Sequence, residues 1–186
     1  MNNDFNLEKW PVVYLKVDNN KLNEEYFDEY KKNYLNLLIK CKRNNEKMIL
    51  ICDLNELSIN ENFYMKFIMK QAQFTKDIYK FNKLYLTCVC ILCKNKSFKN
   101  ILNIFFTIVK QASPYKLCRS SEKANLYLKE KYNIDFDVNI YLKNIDNNEY
   151  FEEDNEINEE YFDENNEYNN IENENEIKDD IENFKL

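Results

Sequence analysis

Residues 47–58 read KMILICDLNELS, and this stretch decides the fold. Five apolar residues stand in a row before Asp53, and a polar turn follows them. A short continuous apolar run of this kind predicts a strand that is buried on both faces, in a sheet covered by helices. Because ligands and partners meet the carboxyl ends of the strands in open α/β sheets, Asp53, Asn55 and Ser58 form a candidate interaction edge.

Three further segments outside this stretch are rich in β-branched, aromatic and other apolar residues. They are VVYLKV at 12–17, KLYLTCVCIL at 83–92 and YKLCR at 115–119. Pro11 fits the beginning of the first strand, where its missing N–H does no harm. The unbroken apolar character of residues 83–92 predicts a central strand with both faces buried.

Segments with helical periodicity follow each of the four strands, over residues 23–42, about 60–79, 97–112 and 121–132. Each predicted helix has a polar candidate for its N-cap: Asn23 for the first, Ser58 or Asn60 for the second, Asn95 or Ser97 for the third, and Ser120 or Ser121 for the fourth. Strand and helix thus alternate four times with short connections. This order predicts an α/β fold with a four-stranded mixed or parallel sheet and flanking helices.

The composition excludes several kinds of chemistry. The chain has no glycine, so a phosphate-binding loop or a dinucleotide fingerprint is ruled out. It also has no histidine, which removes the usual general base, the Ser-His and Cys-His pairs and histidine-ligated metals. No catalytic residue, cofactor or metal site is therefore predicted, and we expect the protein not to be an enzyme.

Six cysteines occur, and three of them form the motif Cys88-Val-Cys90-Ile-Leu-Cys93. On a strand Cys88 and Cys90 share a face and Cys93 points elsewhere, which favours buried packing over a zinc or redox site. Free cysteines in apolar runs, together with a polar and acidic start, predict a reducing compartment and a cytoplasmic protein. No apolar run approaches the roughly 20 residues of a membrane-spanning helix.

The charge is divided unevenly along the chain. Residues 1–132 carry 23 basic and 14 acidic side chains, a net charge of +9, whereas residues 133–186 carry −16. We expect residues 1–132 to form one domain and 133–145 to pack on it as an extended segment. Residues 146–186 are predicted to be a disordered, acidic, low-complexity tail. As a hypothesis, this tail folds over the basic body and tunes access to it.

The charged residues suggest two functions, a phosphoacceptor site and nucleic-acid binding, but neither is well supported by the sequence. Asp53 with Asp18 and Lys94 matches a phosphoacceptor site only loosely, so Asp53 is better explained as a turn or cap residue. The lysines are scattered and only two arginines occur, an arrangement that argues against nucleic-acid binding.

The ordered set of segments from residue 8 to 132 resembles the STAS-like (anti-sigma-factor-antagonist-like) domain, which is structurally akin to CRAL-TRIO. The similar segments are PVVYLKV with its helix, MILICDLNELS, LYLTCVCIL with its helix, and YKLCRSSEKANLYLKEKY. The resemblance implies a non-catalytic protein-interaction or regulatory scaffold whose partner is unknown. Regulatory members carry a phosphorylatable serine just after the aspartate, where this chain has Asn55, and the nearest hydroxyl is Ser58.

The likeness to CRAL-TRIO implies an alternative function, the binding of a lipid or another apolar small molecule. The second predicted helix is rich in aromatic and methionine side chains that would line such a cavity: Phe63, Tyr64, Met65, Phe67, Met69 and Phe74. The volume of a cavity would discriminate between the two functions.

Overall fold

The computed structural model describes residues 5–17, 22–57 and 61–137, without the side chains of residues 61–65, 96, 97 and 99. The predicted cap residues Ser58 and Asn60 and the predicted acidic tail lie outside this description, whereas Ser97 is the second residue of a helix that begins at Lys96 and therefore does not cap it. Strands and helices alternate within it in the order β1 (Phe5–Asn6), β2 (Val12–Lys16), α1 (Glu24–Asn44), β3 (Met48–Asp53), α2 (Glu61–Asp77), α3 (Tyr79–Tyr85), β4 (Leu86–Leu92), α4 (Lys96–Ile108), β5 (Tyr115–Cys118) and α5 (Ser121–Tyr132).

The strands form one mixed sheet in the order β1-β2-β3-β4-β5, which confirms the predicted α/β class. Strands β2 to β5 are mutually parallel, and β1 pairs antiparallel with β2. The prediction of four strands was wrong because β1 has only two residues, Phe5 and Asn6, in a polar segment without periodicity. Pairing with Leu15 and Tyr14 of β2 specifies this strand, and the local sequence does not.

Strand β3 is the middle strand of the five and is buried on both faces, as its apolar run predicts. Ile49 and Ile51 belong to a core cluster on one face of the sheet, together with Leu128 of α5. Leu50 faces the opposite side, where helices α1 to α4 lie. The exposed fraction of Ile51 is 0% and that of Leu50 is 6%.

The four parallel strands lie side by side in chain order. When successive crossovers have the same right-handed sense, such an order places every crossover helix on the same face of the sheet. The side-chain contacts agree with this rule, because residues of α1, α2, α3 and α4 surround one face and α5 covers the other. The domain therefore has a thick helical layer on one side and a single helix on the other.

Asparagine and serine side chains define the ends of two helices. Asn23 accepts a hydrogen bond from the backbone N–H of Tyr26 at 2.8 Å, and Ser120 caps α5 in the same way. Asn45 and Asn133 directly follow helices α1 and α5 as their C-caps, and their φ angles are 53° and 54°. In a chain without glycine, asparagine is the residue that best tolerates this left-handed conformation. Within the described residues, none of the helices is both long and apolar enough to cross a membrane.

The segment between α2 and β4 differs from its prediction. Residues 83–85 were expected to begin a strand, but they form the last turn of the short helix α3. The hydroxyl of Tyr34 in α1 donates to the side-chain oxygen of Asn82 at 3.0 Å, and both residues are buried. This contact with α1 stabilises a helical turn where the local apolar run favours a strand, so tertiary packing overrides propensity.

Residues that follow α5 contribute to the core. Phe136 is 5% exposed and packs in the cluster between the sheet and α5, and Ile134 is half-buried against the same cluster. The described part of the segment predicted as extended, residues 133–137, thus covers part of the α5 face of the sheet.

Replacing Phe136 by alanine is expected to lower the free energy of unfolding by about 3–5 kcal/mol, because a buried ring is removed from a packed core. Urea unfolding of the full chain measures this change. The neighbouring Asp135 is exposed, so the control variant Asp135→Ala should stay within about 0.5 kcal/mol of the parent. Equal unfolding curves for both variants would contradict the placement of Phe136.

Candidate functional site

Asp53 lies at the carboxyl end of β3, as predicted, but its carboxylate is directed into the fold. The residue is 3% exposed. The hydroxyl of Tyr14 on β2 donates to its Oδ2 at 2.6 Å, and the backbone N–H of Asn55 donates to its Oδ1 at 2.9 Å. Both oxygens of this buried carboxylate therefore accept hydrogen bonds, as a buried charge requires.

Asn55 joins the end of β3 to the segment that follows β4. Its side-chain oxygen accepts a hydrogen bond from the backbone N–H of Lys94 at 2.9 Å. The structure brings Asp53 and Asn55 together, and Ser58 lies outside the described residues. Their polar atoms hold the ends of neighbouring strands in place, and an interaction role for this edge stays a prediction.

The pKa of Tyr14 is raised above its usual range, first by burial and second by its hydrogen bond to Asp53. Burial likewise raises the pKa of Tyr30 and Tyr34 in α1. The folded protein therefore keeps these phenolic protons at a pH where the unfolded chain loses them. Their contribution to stability is complete below the ordinary tyrosine pKa of about 10 and is lost as the pH rises above it.

The variant Tyr14→Phe is expected to lower the free energy of unfolding at neutral pH by about 1.5–3 kcal/mol, because it removes a hydrogen bond to a charged group. Between about pH 9 and pH 11, stability should fall less steeply in this variant than in the parent. Urea unfolding at each pH checks both points. The control variant Tyr127→Phe loses a 3.5 Å contact with the neutral hydroxyl of Tyr132. It should therefore lower the free energy of unfolding at neutral pH by less than Tyr14→Phe does. Equal effects of the two substitutions would contradict this account of the Tyr14–Asp53 bond.

The cysteine motif is part of the packed core. Cys88 and Cys90 share the sheet face that α5 covers, where Cys118 of β5 joins them, and Cys93 is buried elsewhere. Hydrogen bonds with Cys118 and Cys88, together with burial, raise the pKa of the Cys90 thiol. Within the part of the chain that the structure describes, no group of three or more histidine, cysteine, aspartate or glutamate side chains is arranged to hold a metal ion.

A cavity of about 190 Å³ lies between the sheet and the layer formed by helices α1 to α4. Its sheet side is formed by apolar and small residues, including Leu15, Leu50, Cys52, Val89 and Ile91. Cys52 and Val89 are only half-buried although they sit in interior strands, because part of their surface faces this cavity. Burial, followed by the charge of Asp53, raises the pKa of the Cys52 thiol to about 12, so the thiol is protonated.

Aromatic rings join helices α1 and α2 within the helical layer. Phe74 of α2 meets Tyr30 and Tyr34 of α1 edge to face, with centroid distances of 6.0 and 5.9 Å, and Phe67 meets Phe27 at 5.4 Å. Such pairs are favourable in themselves and their rings are rigid. The helices consequently pack against one another through these rings, and the short side chains of Cys52 and Val89 do not fill the space below them.

Neutral polar groups also line this largely apolar cavity. The side-chain nitrogen of Gln71 donates to the hydroxyl of Tyr30 at 3.1 Å, and the hydroxyl of Thr75 donates to the backbone oxygen of Gln71 at 2.8 Å. The Tyr34–Asn82 hydrogen bond belongs to the same wall. Lys110, which is exposed and lies 5.7 Å from the ring centre of Tyr79, is the only charged residue among the described residues that line the cavity.

The sequence indicated part of this cavity. Phe67 and Phe74 of the second predicted helix line it, whereas Met69 is 50% exposed and does not. Phe63, Tyr64 and Met65 are outside the described side chains. Tyr30, Tyr34 and Gln71 also line the cavity but were not among the residues predicted to do so. The available signal was a glutamine and a threonine, Gln71 and Thr75, on the same face as Phe67 and Phe74 at three- and four-residue spacing.

Comparisons of the chain with protein-family models, with curated proteins and with solved structures find no match. The resemblance to STAS-like and CRAL-TRIO domains therefore stays a prediction from the sequence.

Proposed function

We propose that this protein binds a compact apolar small molecule in the cavity between the sheet and helices α1 to α4, without catalysing a reaction on it. The observation that carries this proposal is the cavity itself, about 190 Å³ in volume and mostly apolar in its lining. Ligand sites in proteins are typically concave, apolar and equipped with a few polar groups. Tyr30, Gln71 and Thr75 supply such groups.

The apolar lining favours occupation by an apolar molecule. The cavity is partly open to solvent and its lining is mostly apolar. An apolar molecule that enters it is stabilised by roughly 25 cal/mol for each Å² of apolar surface that is removed from water.

The size of the cavity limits the ligand. A cavity of about 150 Å³ in another protein binds benzene, and typical sites for drug-sized molecules occupy about 300–1,000 Å³. The volume here lies just above the first figure. It fits a single ring or a short branched chain, and a whole lipid is too large.

The protonation states of the lining residues support binding without catalysis. Burial raises the pKa of Tyr30, Tyr34 and Cys52, so these groups stay neutral at physiological pH. A general base or an activated nucleophile needs a pKa shifted towards 7, which is the opposite direction.

The free cysteines among the described residues support a reducing compartment, and we propose a cytoplasmic location on that ground.

The scaffold function that the sequence predicts, with a protein partner, has less support. The oxygens of Asp53 and the side-chain oxygen of Asn55 are already bonded within the fold. The parallel strands also follow chain order, so the sheet has no switch point where a crevice would open at their carboxyl ends. The cavity is therefore the better candidate site.

Binding of benzene to the purified chain tests the proposed function. Benzene should raise the midpoint of thermal unfolding in the parent, because a ligand that binds only the folded state stabilises it by mass action. Val89→Phe places a ring in the cavity and should abolish this rise, and Cys52→Leu should reduce it. Far-UV circular dichroism verifies that each variant is folded.

The matched control is Met69→Phe, which adds the same ring at a half-exposed position of α2 outside the cavity. This variant should respond to benzene as the parent does. No rise in the parent, or an equal rise in the parent and both folded cavity variants, would overturn the proposal. Native mass spectrometry of the protein from its own source then identifies a co-purified ligand by its mass.

A further inference from the structure

The cavity wall contains a buried hydrogen-bond acceptor that the fold leaves unused. The side-chain oxygen of Gln71 is buried and has no hydrogen-bond partner among the described residues. The amide nitrogen of the same side chain is directed elsewhere, to the hydroxyl of Tyr30 at 3.1 Å and that of Thr75 at 3.5 Å. A carbonyl oxygen in apolar surroundings is unfavourable until a donor pairs with it.

The hydroxyl of Tyr30, next to this oxygen, has the complementary capacity. It accepts the hydrogen bond from Gln71, and none of the described residues accepts its own proton. Burial raises the pKa of Tyr30, so this proton stays in place at physiological pH. The hydroxyl of Tyr34, by contrast, already donates to Asn82. The Gln71–Tyr30 pair, which lines the cavity, thus has one acceptor and one donor without a partner among the described residues.

The charges of the residues that line the cavity limit the charge of the ligand. Lys110 is the only charged residue among the described lining residues, and it is exposed. A carboxylate or phosphate in the apolar interior would lose its hydration, and the exposed Lys110, which lies against the ring of Tyr79, would be the one cation among the described lining residues to offset this loss, which is strongly unfavourable. The ligand that satisfies Gln71 and Tyr30 is therefore neutral.

We propose that the cavity selects small, neutral, hydroxylated apolar molecules of the size of phenol. The ligand hydroxyl donates to the side-chain oxygen of Gln71 and accepts from the hydroxyl of Tyr30, since a hydroxyl group does both at once. The remainder of the molecule contacts the apolar sheet side and the ring of Phe74. This inference rests on the proposed binding function and adds the class of ligand.

Phenol and benzene are the probes, because they differ only in the hydroxyl group. Isothermal titration calorimetry on the full chain measures both dissociation constants. We expect phenol to bind the parent at least as tightly as benzene, although phenol is the better hydrated in water. In Gln71→Leu and in Tyr30→Phe, the ratio of phenol affinity to benzene affinity should fall about tenfold.

Two controls separate selectivity from folding. Met69→Leu lies on the same helix outside the cavity and should keep the phenol-to-benzene ratio of the parent. Tyr30→Phe keeps the ring and removes only the hydroxyl, so it serves if Gln71→Leu does not fold. A ratio in folded Gln71→Leu or Tyr30→Phe that equals the parent ratio would overturn the ligand class and leave the binding function standing. Binding of neither probe by the parent would overturn both proposals.

Discussion

The order of the parallel strands is the constraint on which the rest of the structure depends. Because β2, β3, β4 and β5 lie in chain order, helices α1 to α4 gather on one face, and α5 covers the other. Doubly wound folds reverse their strand order and open a crevice at the carboxyl edge. This fold has no such reversal, so the space available to a ligand lies beneath the crowded helical layer and not at the ends of the strands.

Much of the fold was predictable from local patterns, and the parts that were not are specified by contacts between residues distant in the chain. Apolar runs located the four parallel strands, and Asn23 and Ser120 located the beginnings of two helices. Strand β1 and helix α3 escaped prediction because contacts with Tyr14 and Leu15, and with Tyr34, specify them. The order of strands in the sheet is not encoded in any single segment, and the prediction of an interaction edge at Asp53 was made without it.

The cavity was still harder to predict, because its wall combines residues that are distant in the chain. Tyr30 and Gln71 are 41 positions apart and meet only when α1 packs beside α2. From periodicity alone, Tyr30 and Tyr34 are indistinguishable from core residues, since rings that fill a core and rings that surround a cavity have the same helical spacing. The small size of Cys52 on β3 and of Val89 on β4 makes the difference, and the sheet register, which sets Cys52 beside Ile91 and Val89 beside Leu50, places both small residues on the cavity face.

One face of the sheet is covered by α5 and Phe136, and this has a consequence while the chain is being synthesised. Every strand of the sheet precedes residue 121, whereas the elements that seal its second face lie at residues 121–136. During synthesis, α5 and Phe136 cannot cover the apolar side chains of Ile49, Ile51 and Leu92 until residues 121–136 have left the ribosome. Exposed apolar surface on an incomplete chain promotes aggregation. The interval between the completion of β5 and the docking of Phe136 is thus the period in which a chaperone would protect this chain.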